Sequence, residues 1–376
     1  MMTAQLKLQG VDKFYGPIGK GVHAVRDINM DIEKGEIIAL LGSSGCGKTS
    51  TLRMVAGFEE TSRGKILIAG REVQNLPPVR RNVAMAFEGY SLYPTVTVRE
   101  NIAFALKAQR ESDAQVDAKV NEVAEMLEIT SILDKFPASI SGGQQQSASL
   151  ARALVRDADL YLLDEPMGQL EPQLRTLLRG RIKYYIKERG LTAILVTHDQ
   201  TAANAMADRI AVMEGGVLQQ FASPDEIKLA PANLFTGTFV GEPPMNVFPA
   251  RASEVSGDIQ FRLDAGVELT YNADQFAPDL RAALLSRGDV VIGVRPYAVR
   301  RAKGKSGAAA QVVANQWLGD QTHIAAAFAG STVVLVEHDR ADISMGDTIS
   351  VELKPEDLHF FDPASGAAIS HGTQMA

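Results

Sequence analysis

The chain has 376 residues, 45% of them apolar, enough for about two domains with separate cores. A formal net charge of −7 gives no general attraction to nucleic acid, and the one cysteine, Cys46, excludes an internal disulfide framework and a cysteine-based zinc site. No run reaches the roughly 18 apolar residues that cross a bilayer, and the opening MMTAQLKLQG lacks the regions of a secretory signal, so the chain is expected to stay in the cytoplasm unless a partner anchors it.

Residues 5–41 read as strands. Ile28, Met30 and Ile32 alternate with Asn29 and Asp31, and residues 36–41 form a short apolar run. That run enters Gly42-Ser43-Ser44-Gly45-Cys46-Gly47-Lys48-Thr49, which fits the phosphate-loop pattern G-x-x-x-x-G-K-[ST]. Glycines let successive N–H groups turn toward an anion, and the following helix adds its positive end. Lys48 is placed to reach the β and γ phosphates of a nucleotide, and Thr49 to ligate Mg²⁺. Lys48–Ala56 is predicted as the helix, with Gly57 as its stop.

Further along, Thr97-Val98-Arg99-Glu100 is a capping box ahead of a helix with Ile102, Phe104 and Leu106. Val116, Val120, Val123 and Leu127 recur at helical spacing over residues 112–129. Residues 89–157 therefore read as a mostly helical insertion in an α/β core.

The core resumes with a strand at residues 160–164 that ends in Asp164 and Glu165. Behind a phosphate loop, such a pair can hold Mg²⁺, mainly through water, at Asp164 and polarise the attacking water at Glu165. A helix at residues 172–188 and a strand at 193–197 follow, so the sheet is predicted to be mainly parallel with covering helices. After about Gly237 the pattern changes. Short strand candidates at residues 290–294, 312–316, 324–328, 333–336 and 349–353 predict a small all-β barrel or sandwich, with domains at 1–237 and 238–376.

Two features of this second region are set aside. Gly304-Lys305-Ser306 looks like half a phosphate loop, but Val299 stands where the first glycine belongs, and residues 304–310 read as a loop. The basic cluster Arg295, Arg300, Arg301, Lys303 and Lys305 reads as a solvated barrel loop rather than a nucleic-acid patch.

Upstream of the acidic pair, Ile140-Ser141-Gly142-Gly143-Gln144 resembles the LSGGQ signature of ATP-binding cassette (ABC) ATPases. Ser141 and the amides of Gly142 and Gly143 open a helix there and form a second anion site. The three motifs stand in the family's order. The resemblance implies a P-loop ABC ATPase domain using ATP and Mg²⁺ and working as a head-to-tail dimer. The signature of one subunit, Ser141 to Gln144, would close over ATP held by residues Gly42 to Ser50 of the other. It further implies that Tyr15 stacks on adenine, that His198 contacts the γ phosphate, and that Glu165, His198 and Lys48 are the catalytic residues. Glu88, at the Q-loop position, would join Thr49 and Asp164 around Mg²⁺.

Residues 82–94 resemble the Q-loop region of ATPases that power sugar importers of the maltose and glycerol-3-phosphate type, as does Gly241-Glu242-Pro243-Pro244-Met245-Asn246. Gly293-Val294-Arg295-Pro296 and Leu358-His359-Phe360-Phe361-Asp362 resemble that group's regulatory domain, a TOBE/MOP-type oligosaccharide-binding-like fold. The resemblance implies the motor subunit of a bacterial importer for a sugar, polyol, glycerol or glycerol phosphate. Such a subunit sits on the cytoplasmic face of the inner membrane through two permease subunits, contacted near residues 90–98, and an extracytoplasmic solute-binding protein serves the same system. No nucleic acid is expected as a partner. The competing reading is a soluble ABC ATPase of translation or DNA repair, which would carry a second cassette or long coiled-coil or zinc-bearing insertions. An exporter ATPase is disfavoured by the lack of a fused membrane domain.

The sequence departs from the family at several positions. Glu88 replaces the usual Gln, adding negative charge near the γ phosphate, so altered Mg²⁺ coordination and slower hydrolysis are expected. Gln145 and Ser147 stand where the signature helix usually carries arginines, and Gly168-Gln169-Leu170-Glu171 replaces Ser-Ala-Leu-Asp. These changes fit either neutral drift in a homodimer or pairing with a second, non-identical ABC ATPase.

Overall fold

The computed structural model describes residues 4–108, 112–302 and 307–375. They divide into two units, residues 1–224 and 225–376. The first runs β1 (Leu6–Tyr15), β2 (Val22–Ile32), β3 (Ile37–Gly42), α1 (Lys48–Ala56), β4 (Arg63–Ile68), β5 (Arg71–Glu72), β6 (Val83–Ala86), α2 (Val98–Ala108) and α3 (Asp113–Met126). It continues with α4 (Gly142–Leu154), β7 (Leu160–Asp164), α5 (Pro172–Glu188), β8 (Ala193–Val196), α6 (Gln200–Met206), β9 (Arg209–Glu214) and β10 (Val217–Ala222).

Strands β1, β2, β4 and β5 make an antiparallel sheet whose inward residues, among them Leu6, Leu8, Ile28, Met30 and Ile32, are buried as the alternation predicts. The second sheet has the order β10-β9-β3-β8-β7-β6 and is parallel except for β10. Successive side chains of a strand point to opposite faces. Leu160, Leu162, Ile194 and Val196 accordingly join the core that includes α1, whereas Tyr161, Leu163, Ala193 and Leu195 join the core built from α2 to α5. The register places Leu40 and Asp164 both opposite Val196, so β3, β7 and β8 end together. Whatever follows these strands gathers at one sheet edge, where open parallel sheets bind ligands.

Helices α2, α3 and α4 occupy the expected insertion. Glu100 accepts from Thr97 N at 2.8 Å and donates its own N–H to Thr97 Oγ1 at 3.3 Å, completing the capping box. Val116, Val120, Val123 and Leu127 are all buried. Helix α1 ends at Gly57 with φ 86°, and its last carbonyls are taken by buried Arg81, which donates to Met54 O at 2.6 Å and Val55 O at 3.1 Å. A Cβ on Gly57 would sit 2.5 Å from that guanidinium, so glycine is required twice over.

The second unit holds α7 (Pro224–Leu229), α8 (Leu234–Phe239), β11 (Asn246–Val255), β12 (Asp258–Leu263), β13 (Glu268–Tyr271), α9 (Pro278–Arg287), β14 (Asp289–Val294), β15 (Arg300–Arg301) and β16 (Ala308–Trp317). Then come β17 (Thr322–Phe328), β18 (Ser331–Glu337), β19 (Thr348–Glu352), β20 (Leu358–Phe361), β21 (Ala368–His371) and β22 (Gln374–Met375). Two antiparallel sheets, β13-β12-β11-β14-β20-β21-β22 and β15-β19-β16-β17-β18, share one core that includes Phe248, Phe261, Ile292, Val312, Ile324 and Phe360. The Asn246 side chain ties them, donating to Val334 O at 2.9 Å and accepting from Val334 N at 2.7 Å.

Two expectations for this unit need correction. Within this unit, which begins at Asp225, Arg295 draws in the carbonyls of Lys228, Gly237 and Val240. Arg295 is thus a buried cross-link, not part of a solvated loop. Ala308 to Ala310 belong to β16 rather than to a loop, while Lys303 and Gly304-Lys305-Ser306 lie outside the described residues.

Candidate nucleotide site

The end of β3 delivers the chain into the phosphate loop with Gly45 and Gly47 at φ 78° and 102°, conformations that favour glycine. A Cβ on Gly47 would lie 2.5 Å from Ala24 O, so the loop rests against the β2 backbone. Lys48 Nζ curls over the loop and donates to Gly42 O and Ser43 O, both at 2.8 Å, with no carboxylate paired to it among the described residues. An ammonium held by two carbonyls and, at 3.6 Å, the Cys46 sulfur, in a glycine-rich turn that opens a helix, fits a phosphate. Ser44 and Gly45 form the exposed crown, Cys46 is buried beneath, and Thr49 and Ser50 lie in the first turn of α1. Burial pushes the Cys46 thiol up despite the nearby Lys48 cation.

Tyr15, 42% exposed at the end of β1, comes to this loop by a 3.0 Å hydrogen bond between its hydroxyl and Ser50 Oγ. From behind, Glu214 accepts a hydrogen bond from Ser43 Oγ, and Gly216 N donates to Cys46 O at 3.2 Å. The sequence reading did not include this brace, which comes from a strand far along the chain.

Asp164, 3% exposed at the end of β7, has its carboxyl pushed up to about 6, first by burial and then by Glu88 and Glu165. Arg53 and Lys48 oppose the shift without cancelling it. A buried carboxylate among like charges fits a divalent cation. No group of three His, Cys, Asp or Glu side chains among the described residues could hold a metal unaided.

Glu165 sits at φ +45°, a left-handed backbone that costs a non-glycine residue about 1–3 kcal/mol and persists where its surroundings hold it. Glu165 N donates to Val196 O at 2.9 Å, and Glu165 O accepts from Gly168 N at 3.3 Å and from Gln146 Nε2 at 2.8 Å. One carboxylate oxygen accepts from His198 N at 2.8 Å and lies 2.8 Å from His198 Nδ1, and the other accepts from Thr197 Oγ1 at 3.2 Å. The adjacency of β7 and β8 thus brings Glu165 and His198 together. The His198 ring stays largely exposed.

The signature residues open α4, whose Gln146 reaches Glu165 O. Ser141 caps α4, its Oγ accepting from Gln144 N at 3.3 Å while Gln144 Oε1 accepts from Ser141 N at 3.1 Å. A Cβ on Gly142 would meet the Tyr90 hydroxyl at 2.8 Å and one on Gly143 would meet Gln169 O at 3.3 Å, so both glycines lie under close neighbours. Gly142 and Gly143 stand at the N-terminus of α4, where helix amides favour an anion.

Comparison with known proteins agrees with this geometry. Residues 25–168 match the ABC transporter family and residues 292–361 the TOBE domain. The trehalose/maltose import ATP-binding protein MalK of Thermococcus litoralis is 39% identical, covering 97% of this chain and all of the relative. The sulfoquinovosyl glycerol transport ATP-binding protein SmoE of Agrobacterium fabrum is 37% identical over 97% of this chain and 99% of its own length. Among solved structures, the dimeric ATP-binding cassette MJ0796, in a post-hydrolysis state bound to ADP and Pi, superposes with a TM-score of 0.54 at 26% identity, covering 58% of this chain and 98% of that one. Phosphate loop, acidic strand end, signature turn and full-length relatives agree: the chain belongs to the ATP-binding subunits of ABC transporters, an ABC ATPase followed by a TOBE domain.

Proposed function

We propose that the chain is the ATP-hydrolysing motor of a carbohydrate importer, acting in a dimer beneath two membrane permeases. The observation that carries this reading is the convergence of the Lys48 loop and the Asp164–Glu165–His198 cluster at one sheet edge, in a chain similar from end to end to a trehalose/maltose import subunit.

The loop amides and Lys48 bind the β and γ phosphates, and the Tyr15 ring lies against the adenine. Mg²⁺, held by Thr49 and Asp164 with Glu88 nearby, would neutralise charge on the phosphate oxygens. Glu165 accepts the proton of the attacking water, and His198 fixes the Glu165 carboxylate and reaches toward the γ phosphate. A second ABC subunit supplies Ser141, Gly142, Gly143 and Gln144 over the nucleotide, consistent with the dimeric form of the MJ0796 cassette.

Among the described residues no helix is long and apolar enough to cross a membrane, so attachment to the cytoplasmic face is assigned to permease contact. The exposed pair Tyr93 and Phe104, with ring centroids 5.0 Å apart, supports a docking face there. An extracytoplasmic binding protein would deliver the solute.

The test is purification of the chain from detergent-solubilised native membranes, with co-purifying proteins counted and Mg²⁺-dependent ATPase measured on the complex. Two permeases with this subunit alone establish a homodimeric importer. A second cassette protein establishes a heterodimer. Absence of any membrane protein overturns the importer reading.

A further inference from the structure

Segment 165–170 leaves β7 with Glu165 in a left-handed conformation and is gripped from two sides. On one side Gln146, on α4 and 3% exposed, uses both ends of its amide on this segment: Nε2 donates to Glu165 O at 2.8 Å and Oε1 accepts from Gln169 N at 2.8 Å. On the other, Arg175 of α5 donates through Nη2 to Leu170 O at 3.1 Å and Gly168 O at 3.4 Å. Its Nη1 lies 3.8 Å from Asp199 Oδ2, with Arg179 at 4.0 Å from the same oxygen. Asp199 is itself fixed, donating to Thr197 Oγ1 at 3.1 Å and capping α6 through Ala202 N at 2.9 Å. Thr197 and His198 then return to the Glu165 carboxylate, which closes a ring of side chains and backbone.

We infer that Gln146 and Arg175 are positioning residues for hydrolysis: together they clamp segment 165–170 and hold the strained Glu165 peptide, linking it to the signature helix and to the His198 turn. Neither side chain needs to touch nucleotide. The ring gives a physical route by which engagement of the α4 N-terminus by a nucleotide reaches the Glu165 backbone within the same subunit. This inference rests on the ATPase reading above and assigns two residues that reading does not use.

The test compares the parent with Gln146→Met, Gln146→Glu, Arg175→Met and the conservative Arg175→Lys, all in the full chain. Gln146→Glu keeps the acceptor for Gln169 N and loses the donor to Glu165 O. The expected result is a kcat about tenfold lower for Gln146→Met and Arg175→Met, with KM for ATP changed less than about twofold and melting temperature retained. Arg175→Lys recovers most of the rate, and the double Met variant loses less than the product of the two single losses, because both act on one segment.

Hydrogen–deuterium exchange of residues 165–171, without nucleotide, gives a readout independent of turnover, and the Met variants are expected to speed it. Unchanged exchange together with unchanged kcat overturns the inference, as does a loss carried entirely by KM. A parent that does not hydrolyse ATP overturns the functional reading instead, and exchange then still decides on the clamp.

Discussion

Two charged side chains, Asp164 and Arg295, are equally hidden at 3% exposure, one in each unit, and their surroundings are opposite. Arg295 gives its two terminal nitrogens to the carbonyls of Lys228, Gly237 and Val240, leaving only Nε without a partner. Burial lowers its pKa, but the guanidinium is surrounded by acceptors. Asp164 has Glu88 and Glu165 nearby, and its carboxyl is pushed up to about 6 by burial and these charges although Arg53 and Lys48 oppose the shift. Burial alone does not separate a structural charge from a functional one. What separates them is whether the chain itself satisfies the charge.

The comparison is sharpest in the neutral isostere. Asp164→Asn removes an ill-solvated negative charge while keeping shape, so the nucleotide-free protein is expected to melt at the same or a higher temperature. Mg²⁺-dependent hydrolysis should fall by about 100-fold or more. Differential scanning calorimetry and phosphate release check the two halves. A variant that melts markedly lower would make Asp164 a structural residue like Arg295.

Arg295→Met tests the other side. It removes the guanidinium from three carbonyls, and the cost is about 3 kcal/mol of stability in the second unit. The ATPase rate per folded molecule should be unchanged. Urea unfolding followed through Trp317, the single tryptophan and a residue of the second unit, reads the loss directly. A stability change within about 0.5 kcal/mol would reduce Arg295 to an ordinary surface residue.

The same contrast has a pH signature. Asp164 titrates near 6 when folded and near 3.8 in its ordinary state, so between those values the folded chain binds more protons than the unfolded one. Its contribution is therefore unfavourable and absent below about pH 4. It grows as pH rises toward 6 and is fully present above. Denaturant unfolding of parent and Asp164→Asn across this window should diverge as pH rises. A gap that narrows instead would contradict the sign of the shift.

The two charges also differ in how visible they were in the sequence. The phosphate loop is eight contiguous residues, so Lys48 and its glycines were legible, as were α1, its Gly57 stop and the capping box at Thr97. Asp164, Glu165 and His198 could be named individually, but their meeting depends on β7 lying beside β8, which no local pattern encodes. Arg295 was misread because arginine is usually exposed, and nothing local announces that three carbonyls from the α7–α8 region will close around it. Gln146, Arg175 and Glu214 went unread for a related reason. Their partners in the site are mostly backbone groups or single hydroxyls in distant segments, and an amide or guanidinium on a helix carries no motif.

The smallest expected effect lies at Glu88, and it measures how far the Asp164 environment can be relaxed without emptying it. Glu88 is exposed, so its charge acts through solvent, where two unit charges about 4 Å apart interact by about 1 kcal/mol. That corresponds to a change of about fivefold in a rate or binding constant, not a loss of function. Glu88→Gln removes the largest contribution to the Asp164 shift after burial, so the Asp164 carboxyl should move back toward its ordinary value. Less negative charge then faces the γ phosphate while the essential carboxylate remains. The expected outcome is a kcat raised by about two- to fivefold, with the acid limb of the pH–rate profile displaced to lower pH. The carboxylate also attracts cations, so half-saturation by Mg²⁺ should rise slightly in the variant. Curves that superimpose on the parent across Mg²⁺ concentration and pH would show that solvent already screens Glu88, leaving burial and Glu165 as the causes that matter at Asp164.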